Sequence, residues 1–567
     1  MVRKNRTRAA LLVAAVFITA CGESSNSGTA DEGSADAAAS DASTAGSAST
    51  GTVGAVNGTI STKDTLTVVA PDTGWTWTID SGFGGLEPAL QLAATLIKKP
   101  YIPSSASDAL QQDVNNYEPY LAESWEVSED GLVYTFHLSD AISAAGNELT
   151  ADDVLWSFER RFATPTSVSP SVQAPQITRL EQFQKVDDKT VTLTLDQAGH
   201  GATALALLAD LTAWIYDSTL LEEHVTPEDP YAVTWSRDNP NFGFGPYEVT
   251  DFQPGTSVTL AAREDFVLGA PLIKTVVVKV VPDAGTRANL LRSGDADMAV
   301  ALVPADLVAL EAEEATKVAT VDNPNAYIMM PLVTNKPPFD DMLVRQAFAY
   351  AIPYDQIIEN VYHGLAVRNG PGFVRRDHPG YDGSGLTPFT FDPAKAQELL
   401  AEAGVTDGVS FDLAVSAAEP DMQEAAIQIQ TFAKEAGFDV HITQLPAAAF
   451  GSGRVDHSFQ AFILKDYAIT LTPSYELNVY TAPGGSNNLA DWENDAFYAA
   501  RAEGDELADP YTPEAGALWN EAERYFINEA PIPMIAQIQP TVAMSEDLMG
   551  YAWRSDNYLD FSELYFK

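Results

Sequence analysis

Apolar positions recur with two periods along this chain. From Leu132 to Leu138 every second residue is apolar, so Leu132, Tyr134, Phe136 and Leu138 share one face, the pattern of a strand buried on one side. Val191 to Leu195 repeats that alternation, and Thr65 to Ala70 reads as a short apolar strand. Thr275 to Val281 is nearly continuous in valine, as expected of a strand covered on both faces. Val440 to Leu445 and Phe459 to Leu464 complete the predicted strands. Helices follow from punctuation. Thr150-Ala-Asp-Asp153 has a capping-box spacing, with aspartate for the usual glutamate, ahead of Val154, Leu155 and Phe158. Asp283 to Ser293 is predicted helical and closed by Gly294. Asp340 is predicted to cap a helix running to Ile352 before Pro353. Asp392-Pro393 supplies an N-cap and an N1 proline with Gly404 beyond, and Asp421 to Ala436 is closed by Gly437. The pattern is α/β with mixed strand order.

The N-terminus breaks this pattern. Arg3, Lys4, Arg6 and Arg8 precede an apolar run from Ala9 to Ile18, too short to span a bilayer, which reads as a signal peptide over residues 1–20. The single cysteine, Cys21, follows Ile18-Thr19-Ala20 and precedes Gly22. That arrangement resembles a bacterial lipobox, which implies cleavage before Cys21 and lipidation of it. Two acyl chains hold a protein at a membrane where one does not. Residues 22–61 are Gly, Ser, Ala, Thr and Asp with almost no large apolar side chain, a composition that cannot offset its ordering entropy and reads as a flexible tether. Removing residues 1–20 deletes four basic and no acidic side chains, taking the formal charge from −47 to −51. Such a surface excludes a nucleic-acid partner and is repelled by anionic membranes, leaving the lipid as the membrane contact.

Catalytic chemistry finds no foothold. The seven histidines form no HExxH, and none lie three or four residues apart. A GxSxG elbow, a Walker A loop and a Cys–His pair are all missing. Gly82-Phe-Gly-Gly85 and Gly243-Phe-Gly245-Pro246 lack the GxGxxG spacing of a phosphate cradle and read as turns beside aromatic residues. Asp295 and Asp297 form a lone D-x-D without the other ligands of a calcium loop. The reading is therefore a non-enzyme, with no catalytic residue, no metal site and no cofactor.

Three ordered blocks resemble the extracellular solute-binding proteins of family 5. The first is Glu118-Pro-Tyr-Leu-Ala-Glu-Ser-Trp-Glu-Val-Ser-Glu-Asp-Gly131, continued by Leu149-Thr-Ala-Asp-Asp-Val-Leu-Trp-Ser-Phe158. The second is Phe244-Gly-Pro-Tyr247 with Pro282-Asp-Ala-Gly-Thr-Arg287 and Leu291-Arg-Ser-Gly-Asp-Ala-Asp297. The third is Pro337-Pro-Phe-Asp-Asp341 with Val344-Arg-Gln-Ala-Phe-Ala-Tyr-Ala-Ile352. Asp341 and Arg345, four apart, are expected to pair on one helix face. The resemblance implies a two-lobed periplasmic-binding-protein-like fold (type II, cluster C) with an extra subdomain. Lobe I is expected at about 62–317 and 531–567, with the extra subdomain near 99–240, and lobe II at about 318–530. It also implies the capture component of an ABC importer. A monomer would bind a peptide or peptide-sized solute between its lobes, with an oligosaccharide or chelated nickel as the alternative cargo. It would be anchored by Cys21 on the outer face of the cytoplasmic membrane or in the periplasm, and would deliver cargo to a permease and its ATPase.

Short-peptide binders of this family use an aspartate after a strand tryptophan and an arginine at a helix start. The matching stretch Phe459-Gln-Ala-Phe-Ile-Leu-Lys-Asp-Tyr-Ala-Ile-Thr-Leu-Thr-Pro473 lacks the tryptophan, and Pro420-Asp-Met-Gln-Glu-Ala425 lacks the arginine. The candidate ligand contacts are Trp75, Trp77, Phe83, Asn325, Tyr327, Lys465, Asp466, Tyr467, Asn487 and Asn488. Trp75, Trp77 and Phe83, together with Trp492, would serve as stacking platforms for a sugar. Lys465 and Asp466, with Arg454, would supply charge.

Overall fold

The computed structural model describes residues 60–71, 75–81, 87–164, 177–321, 325–484 and 487–567. The signal peptide, Cys21, the tether and Phe83 lie outside them. No helix among the described residues is long and apolar enough to cross a membrane.

Thr65–Ala70 sits inside a seven-stranded sheet. It pairs in parallel with Thr275–Val280 on one side and with Met298–Ala299 on the other. The valine run is nevertheless buried on one face only: Val276 and Val278 are buried, while Val277 and Val280 are partly exposed and Lys279 is exposed, so the expected cover on both faces is corrected. Thr541–Ser545 and Thr316–Thr320 extend one edge, and Ser257–Ala262 and Tyr247–Gln253 the other. Asp283 caps the helix Ala284–Ser293 by accepting from Thr286 N–H, and Gly294 ends it at φ 76°.

Residues inserted into this lobe build a four-stranded antiparallel sheet from Ala122–Val127, Val133–Leu138, Thr190–Thr194 and Phe183–Asp187. Phe136, Val191 and Leu193 pack with Val154 and Phe158 of the helix Ala151–Ala163 in a separate apolar core. The Thr150–Asp153 capping box forms as expected. One fully buried pair ties the insert to the lobe. Arg160 reaches Asp80 at 2.6 Å and also donates to Tyr231 O and Ser236 Oγ. Removing one partner of such a pair costs roughly 3–5 kcal/mol, because the other charge stays buried alone. Gly243 and Gly245 press against residues 91–93, where a Cβ would meet Leu92 O at 2.1 Å and the Leu92 carbonyl carbon at 2.4 Å. Close backbone approach, rather than phosphate, explains that motif.

The second lobe holds two sheets. One has four strands in the order Ala366–Val367, Met534–Ile538, Ala326–Met329, Leu464–Tyr467. The other is parallel, with Phe438–Leu445, Val409–Ser416 and Ala461–Phe462. The expected single strand Phe459 to Leu464 is therefore divided: Ala461–Phe462 joins one sheet and Leu464–Tyr467 the other. Asp392 caps Pro393–Glu402 by accepting from Lys395 N–H, with Gly404 beyond at φ 76°.

Three local expectations are corrected. Asp341, not Asp340, caps the helix Met342–Ala349, accepting from Leu343 N–H. That capping role occupies Asp341, and Arg345 turns away to donate to Glu529 O and Phe339 O, with the Glu529 carboxylate at 3.8 Å. Met534–Ile538, placed by sequence in the returning segment, pairs in the second-lobe sheet, so the chain re-enters the first sheet with Thr541–Ser545.

The two crossings between lobes run side by side. Thr316–Thr320 pairs with Thr541–Ser545 in the first sheet, and Ala326–Met329 pairs with Met534–Ile538 in the second. The ladder stops at Thr320↔Thr541 and resumes at Ala326↔Ile538. A pair of strands interrupted at one level is the geometry of a hinge.

Candidate functional site

The strand Leu464–Tyr467 lies at the edge of its sheet, next to these crossings. It pairs antiparallel with Ala326–Met329, placing Tyr467 opposite Ala326 and Asp466 opposite Tyr327. Its other edge has no ladder partner among the described residues. Strand alternation sends Lys465 and Tyr467 to one face and Asp466 to the other.

Lys465 is buried and donates to both oxygens of Asp421, at 3.1 and 2.8 Å, from the first turn of Pro420–Phe432. Burial disfavours its ammonium, but Asp421 and Glu419 outweigh that and hold its pKa above the ordinary value. The helix start where dipeptide binders carry an arginine thus presents carboxylates already engaged by a lysine. Asp466 is held more loosely. Its Oδ1 accepts from Tyr467 N–H, and its Oδ2 lies 3.4 Å from Arg454 Nη1, well beyond the ~2.7–2.9 Å of a strong charge-assisted bond. Burial pushes the Asp466 carboxyl up by more than Arg454 pulls it down. Tyrosines surround it: its charge acts on Tyr467, Tyr475 and Tyr480. The Tyr480 hydroxyl is sealed from solvent without a hydrogen-bond partner.

Polar ties cross the seam around this strand. Lys99 Nζ pairs with Asp210 and donates to Ser555 Oγ at 2.9 Å, while Thr470 Oγ1 donates to Asp210 Oδ2 at 3.0 Å. Asn115 Oδ1 meets His378 Nδ1 at 3.1 Å, and His378 Nε2 meets Glu476 Oε2 at 3.2 Å. Thr203 and Thr472 share a hydroxyl contact at 3.1 Å, and the Tyr467 and Tyr558 hydroxyls hydrogen-bond each other. Each neutral bond of this kind contributes only about 0.5–1.5 kcal/mol net, so the set can be exchanged for water when the lobes part.

Behind the seam lie two buried carboxyls, Glu476 and Glu523. Glu476 Oε2 also accepts from Arg375 N–H at 3.1 Å, while its Oε1 has no hydrogen-bond partner. Glu523 Oε1 accepts from Val374 N–H at 2.8 Å. Burial, assisted by the Glu476 charge, lifts the Glu523 carboxyl to about 8 despite that bond.

The ten contacts expected from sequence divide sharply. Lys465, Asp466 and Tyr467 are brought to the seam together. Trp75 is half-buried against Phe252, with ring centroids 6.4 Å apart, and Asn487 is half-buried in its turn. Trp77 is buried and meets Phe252 in a T-shaped contact with ring centroids 4.9 Å apart. Trp492 is likewise buried and donates to Glu529. Asn325 is wholly buried, its amide donating to Ala468 O and Ser555 O and its carbonyl accepting from Asn557. It locks the crossing to both lobes instead of meeting solute. Tyr327 is buried with its hydroxyl on Phe373 O, and Asn488 closes a turn through two bonds with Trp492 backbone. Sequence reasoning missed Tyr475, Tyr480, Tyr558, Glu476 and Glu87, none of which belongs to a local motif.

The family model for bacterial extracellular solute-binding proteins, family 5 Middle, matches residues 116–488. The chain belongs to the family 5 bacterial extracellular solute-binding proteins. Among family 5 relatives, heme-binding protein A of Haemophilus influenzae is 27% identical over 460 residues, covering 76% of this chain and 81% of that one. The dipeptide-binding protein of Escherichia coli is 30% identical over 312 residues, 52% of this chain and 56% of its own. A solved periplasmic binding protein DppA from Helicobacter pylori, in complex with peptide STSA, superposes with a TM-score of 0.72 at 23% identity, covering 88% of this chain and 98% of that one. The dipeptide binding protein of Pseudoalteromonas with Met-Leu gives 0.74 at 21% identity, covering 89% and 100%. The two-lobed family 5 architecture is thus shared along almost the whole of those structures.

Glu523 gives this family 5 protein a pH signature. Its folded carboxyl holds a proton that the unfolded chain releases from about 4.5 upward, so its contribution to stability falls as pH rises from there to about 8. Glu523→Gln keeps an acceptor for Val374 and removes the titration. The Tm difference, variant minus wild type, is expected to grow between pH 5 and 8. A difference independent of pH would refute the assignment.

Proposed function

We propose that this chain is the extracytoplasmic capture component of an ABC importer, taking a peptide or peptide-sized solute between its lobes and releasing it unaltered to a permease and ATPase. The observation that carries this reading is that Leu464–Tyr467, with Asp466 in it, is the edge strand of its sheet and lies at the seam. A peptide main chain can add to such an edge as a further strand, which supplies affinity without dictating side chains. Asp466, weakly held by Arg454 and only partly covered, is the candidate receiver of a free amino group. The dipeptide and oligopeptide complexes among the similar structures support a peptide cargo. Burial of Trp77 and Trp492 removes two of the platforms that an oligosaccharide would need.

The lobes divide, on this reading, where the two crossings lose their ladder pairing. The protein works as a monomer, tethered through residues 22–61 to a lipidated Cys21. The lipobox-like sequence motivates that anchor. Cys21→Ser is expected to abolish palmitate labelling and release the protein from the membrane fraction; unchanged labelling would contradict it.

Binding is tested by thermal unfolding with defined di- to pentapeptides. At a hundredfold excess over Kd the stabilisation is about 2.7 kcal/mol, and Asp466→Asn is expected to reduce it for peptides with a free amino terminus. Natively purified protein carrying sugar, together with no shift from any peptide, would replace the peptide reading.

A further inference from the structure

Glu87 is a carboxyl near the seam with no ion-pair partner among the described residues. It opens the short helix Glu87–Leu90 of the first lobe and is 9% exposed. Its Oε2 is sealed from solvent and makes no hydrogen bond. The helix is fixed in place. Gln91 Nε2 donates to Glu87 O at 3.2 Å and to Leu559 O at 2.6 Å, and Gln91 Oε1 accepts from Phe561 N–H at 3.0 Å. Those bonds clamp the helix to the segment carrying Tyr558, whose hydroxyl meets Tyr467 from the second lobe. The helix that Glu87 opens is thereby held next to the Leu559–Phe561 segment at the seam, and the Glu87 charge acts on both of those tyrosines.

A buried carboxyl left in this condition is destabilising to the protein on its own. Burial raises its pKa, opposed only by its own backbone N–H. Tyr467 and Tyr558 are engaged with each other, and Arg454 and Lys465 are committed to Asp466 and Asp421. The first-lobe cations Lys99 and Arg554 are likewise committed, to Asp210 and Asp556, so the protein offers Glu87 no ion pair of its own among the described residues.

We propose that the solute carries a basic side chain, an ammonium or guanidinium, and that Glu87 receives it from the first-lobe side of the seam. The inference rests on the solute-capture reading and names its substrate class: basic peptides. Asp466 and Glu87, one on each lobe, would then take two positive groups of one ligand, so that only a ligand with both engages both lobes through charge. That is a difference in affinity between closed and open states, which is what drives closure.

The test uses peptide pairs that differ in charge and little else: Ala-Lys-Ala against Ala-norleucine-Ala, and Ala-Arg-Ala against Ala-citrulline-Ala, titrated calorimetrically into wild type and Glu87→Gln. Wild type is expected to bind the charged member at least about tenfold tighter, as charge-assisted bonds in a desolvated site allow. Glu87→Gln is expected to erase that preference, to leave the neutral members within about twofold, and to raise the Tm of the ligand-free protein by removing a buried unpaired carboxyl. Glu87→Met, uncharged and at most a weak acceptor, should behave alike. Equal affinity for charged and neutral members in wild type would overturn the inference while leaving peptide capture intact. Equal weakening of both members by Glu87→Gln, with a lowered ligand-free Tm, would also overturn it, since a structural carboxyl behaves that way. Failure of every peptide to bind wild type would overturn the capture reading and this inference with it.

Discussion

The structure depends on how little chain connects its two halves. Two strands cross from one lobe to the other, paired with each other in both lobes and unpaired between Thr320↔Thr541 and Ala326↔Ile538. Backbone hydrogen bonds hold each end of this ribbon in a sheet. Asn325 ties the level between them, with Ala468 O, Ser555 O and Asn557 as partners. A motion that turns one lobe against the other needs to change few backbone torsions there.

Charge at the seam follows from that constraint. A purely apolar seam would hold the lobes together without a guest, because apolar area is lost to water on opening. Here apolar packing at the seam is interspersed with hydroxyl, amide, imidazole and ion-pair contacts such as Asn115–His378–Glu476 and Lys99–Asp210–Thr470. These regain water as the lobes separate, so they orient closure more than they enforce it. The carboxyls that burial pushes up, Asp466, Glu87 and Glu523, form a reservoir of unfavourable electrostatics. A positively charged guest would relieve the members that face the gap.

Much of the fold was legible in the sequence because helix ends and buried strands are decided locally. Asp283 and Gly294 cap their helix through residues within one turn, as do Asp392 and Pro393. The valine run at Thr275–Val280 announces an interior strand, paired on both edges, though only Val276 and Val278 are buried. The errors have one physical source, a choice among partners distant in sequence. Arg345 had Asp341 in reach along its own helix, yet the approach of Glu529 and the Phe339 carbonyl decided its place. Phe459 to Leu464 carries a strand pattern, but two sheets compete for it and divide it at Ile463. Tryptophan composition cannot distinguish a platform from a core, and Phe252 settles Trp77. Of the candidate site, the triplet Lys465, Asp466 and Tyr467 was drawn from its place in an ordered motif, and the structure sets it on an edge strand at the seam. Glu87 was not, since its surroundings are set by segments distant in sequence, such as Leu559 and Phe561.

Two halves that part and close on a guest should change the size of the molecule in solution. Small-angle X-ray scattering of the purified protein, with and without a bound peptide, measures this directly. The account predicts a smaller radius of gyration and a shorter maximum dimension when ligand saturates the protein, reversed on its removal. Scattering curves that superpose in both conditions, with binding confirmed on the same sample, would contradict it.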